Sequence, residues 1–392
     1  MQPETSNLAE ATAQLARTEQ YLSSDPGNRN LLAAVIDQQL ALGRLQEADE
    51  HARAALARYP GDPFFQSRLG NVLTARQHWA EAAAVFEPLL AAHAQIALAY
   101  NLAHCYFWRG RYAEAADVLA PYAGAADIWP DAVTLLLRAL HHAGRMDEAV
   151  ALVARHEAAC RADATFLSVA SVVCMDAGDA AQAQRLSEMA LALAGPEQPL
   201  EALMVSGSLA LARFDTDTAM AHFRQVLARH PQEGRSWAGM GMGSLLANDL
   251  AGAQSQLEQA VALLPTHIGT WHLLGWCKLF AGDLAGARQV FEHALSLDRN
   301  FGESHGALAV ALARQGDRAG AALCVERALG LERQGLSARY AQMILSGQAD
   351  DPLVFRTLAL KLLSTQAGLF GGDLAQMVEG QANSGSRSTD EA

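Results

Sequence analysis

The chain has 392 residues, of which 51% are hydrophobic but only 6% aromatic, and its net charge is −13 at pH 7. This acidic balance excludes nucleic acid as a general partner, because binding to phosphate depends on clustered positive charge. The five cysteines are scattered without a CxxC pair, and no stretch is apolar for the roughly 18 residues of a membrane span. We therefore expect buried thiols, no disulfide framework or zinc site, no membrane span and a cytoplasmic protein.

The start of the chain and its basic residues add two further expectations. The first ten residues are polar and do not read as a signal peptide. Arginine supplies almost all the positive charge, since the lysines are only Lys278 and Lys361. This bias is typical of a GC-rich bacterial genome, and it argues against Schiff-base and P-loop chemistry.

Alanine recurs along the chain with a period of about 34 residues. The nine positions, which we use to number repeats 1 to 9, are Ala48, Ala82, Ala115, Ala149, Ala183, Ala219, Ala253, Ala287 and Ala321. The spacing is 33 or 34 at every step except between Ala183 and Ala219, where it is 36. This period indicates a helix-turn-helix solenoid, in which each unit buries its apolar face against its neighbours.

A turn signal accompanies most of these alanines. Five residues before the alanine stands a glycine in six repeats, at Gly43, Gly110, Gly144, Gly178, Gly282 and Gly316. Glycine suits the residue that follows a helix, because that residue often adopts a left-handed backbone conformation that disfavours a Cβ. Asn248 stands at this place in repeat 7 and tolerates the conformation next best. The pattern predicts a first helix, a tight turn and a second helix in each repeat.

The predicted start of the second helix uses different residues in the two halves of the array. In repeats 1 to 4 a glutamate stands just before the alanine, at Glu47, Glu81, Glu114 and Glu148. In repeats 5 to 9 an aspartate follows the turn, at Asp179, Asp215, Asp249, Asp283 and Asp317. Aspartate is typical of an N-cap, whereas glutamate suits a capping box or the helix dipole. The switch lies one repeat before the spacing of 36 and a Gly/Pro-containing loop at 195–199, where we predict a change in superhelix geometry.

The whole pattern resembles the tetratricopeptide repeat (TPR). Repeat 8 matches its signature best, with Trp271, Leu274, Gly275, Gly282, Ala287, Phe291 and Ala294. The resemblance implies an all-α, right-handed superhelical solenoid of about nine helix-turn-helix units, with a leading half-unit and C-terminal capping helices. The expected divisions are a leading helix in 1–28, repeats 1 to 5 in 29–195, repeats 6 to 9 in 200–333, capping helices in 334–366 and a mostly disordered tail in 367–392.

The resemblance also implies where a partner would bind, namely a concave groove lined by the first helices. The residues at the groove positions that we select are Asn71, Tyr100, His104, Phe107, Arg138, His141, Met175, Met204, Met242, His272, Trp276 and Leu279. The alternative is that these Met and aromatic residues belong to the core, since that is the commoner role of such residues at helical spacing. Trp276 is the strongest single candidate, and we expect its substitution by Ala to weaken binding without changing melting.

We predict no catalytic residue, no metal site and no cofactor. Gly239, Gly241 and Gly243 superficially suggest a dinucleotide loop, but they fall inside a predicted first helix, where close helix packing explains them. The stretch from His156 to Cys160 lacks the second histidine of a zinc protease motif. The sequence therefore predicts a protein that is not an enzyme.

Three functions are compatible with these features. The leading one is a protein-binding scaffold or adaptor that binds a protein or peptide segment in the groove. A second is a chaperone-like component of a bacterial secretion or assembly system that shields apolar client segments, and a third is a targeting subunit for a separate enzyme such as a glycosyltransferase. Two questions stay open, the oligomeric state and whether helices predicted at 337–346 and 352–366 cap the array or occupy the groove.

Overall fold

The helices follow the alanine period along the chain. The structure is a computed structural model that describes residues 3–125 and 128–348, with side chains from residue 8 onward. It divides into two parts, Met1–Val169 and Ala170–Ala392, and each part is described by itself. Within the described residues the regular elements are helices, which form the predicted all-α repeat solenoid.

The first helices of the repeats begin 33 to 36 residues apart. They are α2 (Arg29–Ala41), α4 (Pro63–Ala75), α6 (Ile96–Trp108), α8 (Pro130–His142), α10 (Ala164–Asp176), α12 (Leu200–Ala212), α14 (Gly234–Leu246), α16 (Ile268–Phe280) and α18 (Gly302–Gln315). Before them lies α1 (Pro3–Ser24), in the place expected for a leading half-unit.

Each second helix begins 16 residues after its first helix, as from Arg29 to Leu45. The second helices are α3 (Leu45–Arg58), α5 (Trp79–His93), α7 (Tyr112–Leu119), α9 (Met146–His156), α11 (Ala180–Leu193), α13 (Thr216–Arg229), α15 (Leu250–Leu263), α17 (Leu284–Leu297) and α19 (Arg318–Leu331). A short 3-10 turn, Ala120–Tyr122, extends α7. The segment 195–199 lies between α11 and α12, and the predicted change in superhelix geometry there stays a prediction.

The C-terminal end of the array contains the first of the two helices predicted after repeat 9. Helix α20 (Leu336–Leu345) begins 34 residues after α18 and packs against both α18 and α19. The alanine pattern stops after repeat 9, but the helical period does not, so α20 takes the place of a tenth first helix. The helix predicted at 352–366 and the tail predicted at 367–392 lie outside the described residues.

The seam between the two helices of a repeat is built from small residues against large ones. All nine period-setting alanines are fully buried, at 0% exposed. A Cβ added to Gly70 would meet the Phe86 ring at 2.5 Å, and one added to Gly275 would clash with the Phe291 ring. The glycines of α14 are also sites of close helix packing, and a Cβ at Gly241 would lie 2.5 Å from Leu257. Close helix packing therefore accounts for these glycines, as predicted.

The turn between the helices is the same in all nine repeats. The residue five before the alanine has a left-handed backbone in each of them, including the six predicted glycines and Asn248. In the two remaining repeats this conformation falls on Gln77 and Phe214, both with φ of 61°. These two residues carry the cost of a Cβ in the left-handed region.

The starts of the second helices confirm the aspartate prediction and refine the glutamate one. Each of the five aspartates accepts a hydrogen bond from the backbone N–H three residues later, at 2.8–3.1 Å. In repeats 1 to 4 the glutamate instead pairs with the N-cap side chain, as Glu148 does with Arg145 at 2.7 Å and Glu114 with Arg111 at 3.0 Å. The glutamate thus holds the N-cap side chain while its charge stays in the first helical turn.

Candidate functional site

In each of the two parts, the candidate site is the surface formed by the fifth, ninth and twelfth positions of the first helices and by the exposed side chains next to them, which we call the first-helix face. Residues at these positions share one side of a helix. Eleven of the twelve selected residues are half-buried there. Leu279 differs, because it is only 9% exposed and belongs to the core around Phe291. We therefore leave Leu279 out of the candidate surface.

In the N-terminal part, eight aromatic rings contact one another, and we call them the aromatic ledge. They are Trp79, Tyr100, His104, Phe107, Trp108, Tyr112, Trp129 and His142. Four of them come from α6, where spacings of three and four residues put them on the same side of the helix. The others stand at helix ends next to α6, so three successive repeats contribute to one surface.

One branch of the ledge extends from Trp108 to Trp129. The Trp79 and Trp108 rings stack with their centroids 5.8 Å apart, and Trp79 also meets His104 at 5.6 Å. His104 contacts Tyr100 at 6.2 Å, and Tyr100 meets Trp129 edge-on at 5.4 Å. Trp108 remains 60% exposed despite the stacking. An indole this exposed is an uncommon feature of a surface without a partner.

The second branch extends from Phe107 to His142. Phe107 meets Tyr112 at 5.2 Å and His142 at 5.6 Å, and Tyr112 stacks on His142 at 4.8 Å. The selected residue His141 adjoins this branch, with its ring 5.6 Å from His142. Among the selected residues, the structure thus brings Tyr100, His104, Phe107 and His141 into one surface.

Burial affects two titrating groups of the ledge. It lowers the pKa of His104, and Nε2 of this ring accepts a hydrogen bond from the Trp108 indole at 3.1 Å. Burial, and then the negative charge of Asp131, raises the pKa of the Tyr100 hydroxyl. At neutral pH both side chains are therefore uncharged.

Polar side chains link neighbouring first helices beside the ledge. Asn101 donates to Asn71 at 3.0 Å, and Arg68 pairs with Asp37 at 2.8 Å. The selected Asn71 therefore uses its carbonyl oxygen within the chain. Arg138, the other selected polar residue here, is half-buried on α8.

In the C-terminal part, half-buried methionines and a smaller aromatic group occupy the first-helix face. Met175, Met204 and Met242 lie on α10, α12 and α14 and are half-buried. On α16, the Trp276 ring meets Phe280 at 5.8 Å, and it also packs against the core of repeats 8 and 9.

His272 lies one helical turn before Trp276 on α16. Its Nε2 lies 2.7 Å from the Ser304 hydroxyl of α18. Burial lowers the pKa of His272 to about 4, so the ring is neutral at pH 7. The hydrogen bond links two neighbouring first helices, as Asn71 and Asn101 do in the N-terminal part.

Selection by groove position missed five of the eight ledge residues. Trp79 and Tyr112 are the first residues of two second helices, three residues before the repeat alanine, and this shared register was a readable signal. Trp108 and Phe280 both end a first helix at the thirteenth position, and both are 60% exposed. Their exposure depends on packing between repeats, which the period does not specify.

Metal-binding groups and membrane-spanning helices are both absent from the described residues. Within them, no group of three or more His, Cys, Asp and Glu side chains is placed to hold a metal ion. In the same residues, no helix combines the length and apolarity needed to cross a membrane. All five cysteines are free thiols; four are buried and Cys324 is partly exposed.

Comparison with known proteins gives matches to single repeats and to repeat structures. Tetratricopeptide repeat family models match residues 201–233 and 268–301, which are repeats 6 and 8. No curated protein sequence matches the chain significantly.

Solved structures with similar folds cover the chain to different extents. MamA 41-end from Desulfovibrio magneticus RS-1 is 23% identical with a TM-score of 0.38, over 43% of this chain and 95% of that one. TTC0263, a thermophilic TPR protein from Thermus thermophilus, is 20% identical with a TM-score of 0.39, over 46% and 98%. The APC/C hetero-tetramer Cut9-Hcn1 is 10% identical with a TM-score of 0.44, over 93% and 81%. At these values the likeness carries no argument about function.

The repeat assignment depends on the repeats themselves. Two of them match the family models directly, and all nine share the period, the buried alanine and the left-handed turn. The chain thus contains tetratricopeptide repeats within an all-α repeat solenoid, and this repeat fold is in general a non-catalytic protein-interaction scaffold.

Proposed function

We propose that this protein is a non-catalytic scaffold or adaptor that binds a segment of a partner protein on its first-helix face. The aromatic ledge is the observation that carries the proposal. Tyr and Trp dominate the energetics of protein interfaces because they combine a large apolar area with a polar tip. Eight contacting rings with the 60%-exposed Trp108 among them provide such a surface.

The helical framework makes this surface suitable for binding. The ledge residues lie on helices or at their ends, and ring contacts already restrict their side chains. A surface that is ordered before binding loses less conformational entropy when a partner docks. The bond from Asn101 to Asn71 further ties α4 to α6 next to the ledge.

We place the protein in the cytoplasm. The five free cysteines support this location, because thiols persist in a reducing compartment. Burial raises the pKa of the Cys105, Cys160 and Cys277 thiols, which keeps them protonated and unreactive.

Affinity capture with matched variants tests the binding surface. We expect one defined partner to be captured by the wild-type chain and lost with Trp108→Ala. The control is Leu323→Ser, which changes a 68%-exposed apolar side chain on the second helix α19 and should leave capture intact. Capture that is unaffected by Trp108→Ala, and unaffected by changes at Met204 and Met242, would exclude the first-helix face as the binding surface.

A chaperone-like component of a secretion or assembly system is the second candidate. The half-buried methionines Met175, Met204 and Met242 favour it, because flexible thioether side chains adapt to varied apolar partners. The same capture experiment distinguishes the candidates. Many apolar clients whose binding depends on these methionines indicate a chaperone, whereas a single captured enzyme indicates a targeting subunit.

A further inference from the structure

We propose that the aromatic ledge binds an uncharged, proline-rich partner segment in the polyproline II conformation. This inference rests on the proposed function and adds the chemistry of the partner. Proline-rich segments are typically bound in grooves lined by aromatic rings, because the prolines pack on ring faces and the segment is already ordered.

The arrangement of the rings fits such a segment. The exposed Trp108 of repeat 3 stacks on Trp79 of repeat 2, and its neighbour Phe107 contacts His142 of repeat 4. At this end of α6 the ledge therefore crosses three successive repeats. Neighbouring helices pack about 8–10 Å apart, and three residues of polyproline II rise about 9 Å. The same face of the segment can thus meet each repeat in turn.

The ledge also has hydrogen-bond donors for the segment. A polyproline II helix has no internal hydrogen bonds, so its carbonyl oxygens are available to accept. Among the described residues, neither the Trp79 nor the Trp129 indole N–H has a hydrogen-bond partner. The Trp108 indole N–H, by contrast, already donates a hydrogen bond to Nε2 of His104.

Charge around the ledge favours an uncharged segment. Arg111 pairs with Glu114 at 3.0 Å, and Arg145 pairs with Asp117 at 2.6 Å and Glu148 at 2.7 Å. These ion pairs already neutralise the two arginines and their three carboxylate partners. A charged segment that paired with any of these side chains would have to replace an existing ion pair. Asp131, which lies near Tyr100, further disfavours an acidic segment.

Calorimetric titration of the full chain with decaproline, acetylated and amidated at its ends, tests the proposal. We expect saturable binding, with no binding of a Gly-Ser decapeptide. Trp108→Ala should weaken decaproline binding at least tenfold, and Trp79→Phe, which keeps a ring but removes the N–H, about threefold. Phe280→Ala is the matched control, since Phe280 has the same repeat position and the same exposure. It should change binding less than twofold.

Folding of the variants is checked by circular dichroism, and Trp108→Tyr serves if Trp108→Ala unfolds. Absence of decaproline binding, or equal binding by the Trp108 variant, overturns the proposal. Stronger binding of a neutral helix-forming decapeptide, or Trp108-dependent self-association in sedimentation, also overturns it and assigns the ledge to a helix or a second copy. If a partner is still captured through Trp108, the scaffold function stands and only the chemistry is wrong. If capture does not depend on the first-helix face either, both proposals fail.

Discussion

The indole N–H of Trp108 donates a 3.1 Å hydrogen bond to Nε2 of His104, one helical turn earlier on α6. This bond requires the neutral ring with its proton on Nδ1, because a protonated Nε2 cannot accept. Burial stabilises that neutral form by lowering the pKa of His104. The exposed indole of Trp108 is thus oriented by a side chain that titrates.

The first prediction concerns this bond and pH. Because the pKa of His104 is lowered in the folded chain, its contribution to stability is present above pH 6.5 and is lost as pH falls through the folded pKa. The bond itself contributes roughly 0.5–1 kcal/mol. In NMR spectra we expect the Trp108 indole N–H resonance to shift as the pH falls from 6.5 through the folded pKa of His104. His104→Gln keeps an acceptor but does not titrate, so a persisting shift would contradict this explanation.

The second prediction concerns His272, whose pKa burial lowers to about 4. Stability from the neutral ring is present above pH 6.5 and declines as pH falls toward 4, by up to about 3 kcal/mol. Urea unfolding at pH 7 and pH 4.5 measures the loss. His272→Gln should reduce the difference between the two pH values. An unchanged difference would assign the pH dependence to other groups.

The third prediction concerns the strained turn at Gln77, which has a φ of 61°. Gln77→Gly should stabilise the chain by about 1 kcal/mol, because glycine adopts this conformation without the steric cost of a Cβ. The reciprocal change, Gly110→Gln, should destabilise the chain by about the same amount. Thermal melting measures both, and equal melting temperatures for Gln77→Gly and the wild type would refute the argument.

The fourth prediction concerns the seam between helices. Ala287 is fully buried, so Ala287→Leu should overpack the seam and cost about 1–3 kcal/mol. The control is Ala285→Leu, because Ala285 lies two residues earlier on α17 and is exposed. Because both changes replace Ala by Leu in the same helix, the difference in their free energies of unfolding measures the packing alone. Similar values would mean that the seam tolerates a larger residue.

The fifth prediction revises the expectation for Trp276. Its ring contacts Phe291 at 6.0 Å and Tyr340 at 6.3 Å and packs against the core of repeats 8 and 9. We therefore expect Trp276→Ala to destabilise the chain by about 2 kcal/mol, below the cost for a fully buried tryptophan. Trp108→Ala should cost less than about 1 kcal/mol, since exposed positions contribute little. Equal losses in urea unfolding would contradict this assignment.

The comparison of Leu279 with Trp108 shows how far groove positions alone could define the site. Both residues lie at the end of a first helix, yet Leu279 is in the core and Trp108 is 60% exposed. The period placed them within one position of each other in the repeat, but a rotation of about 100° per residue separates core from surface. Sequence position therefore assigned both residues to first helices but could not distinguish core from exposed side chains on them.

The features that can be predicted from the sequence are those that depend on local contacts. The alanine period, the left-handed turns and the aspartate caps each involve residues within one helix-turn-helix unit, where backbone geometry dictates the residue type. Contacts between the rings, by contrast, follow from the packing of different repeats. Trp79 and Trp108 stand 29 positions apart in the sequence and belong to neighbouring repeats. Their stacking depends on how one repeat packs on the next, which no local pattern encodes.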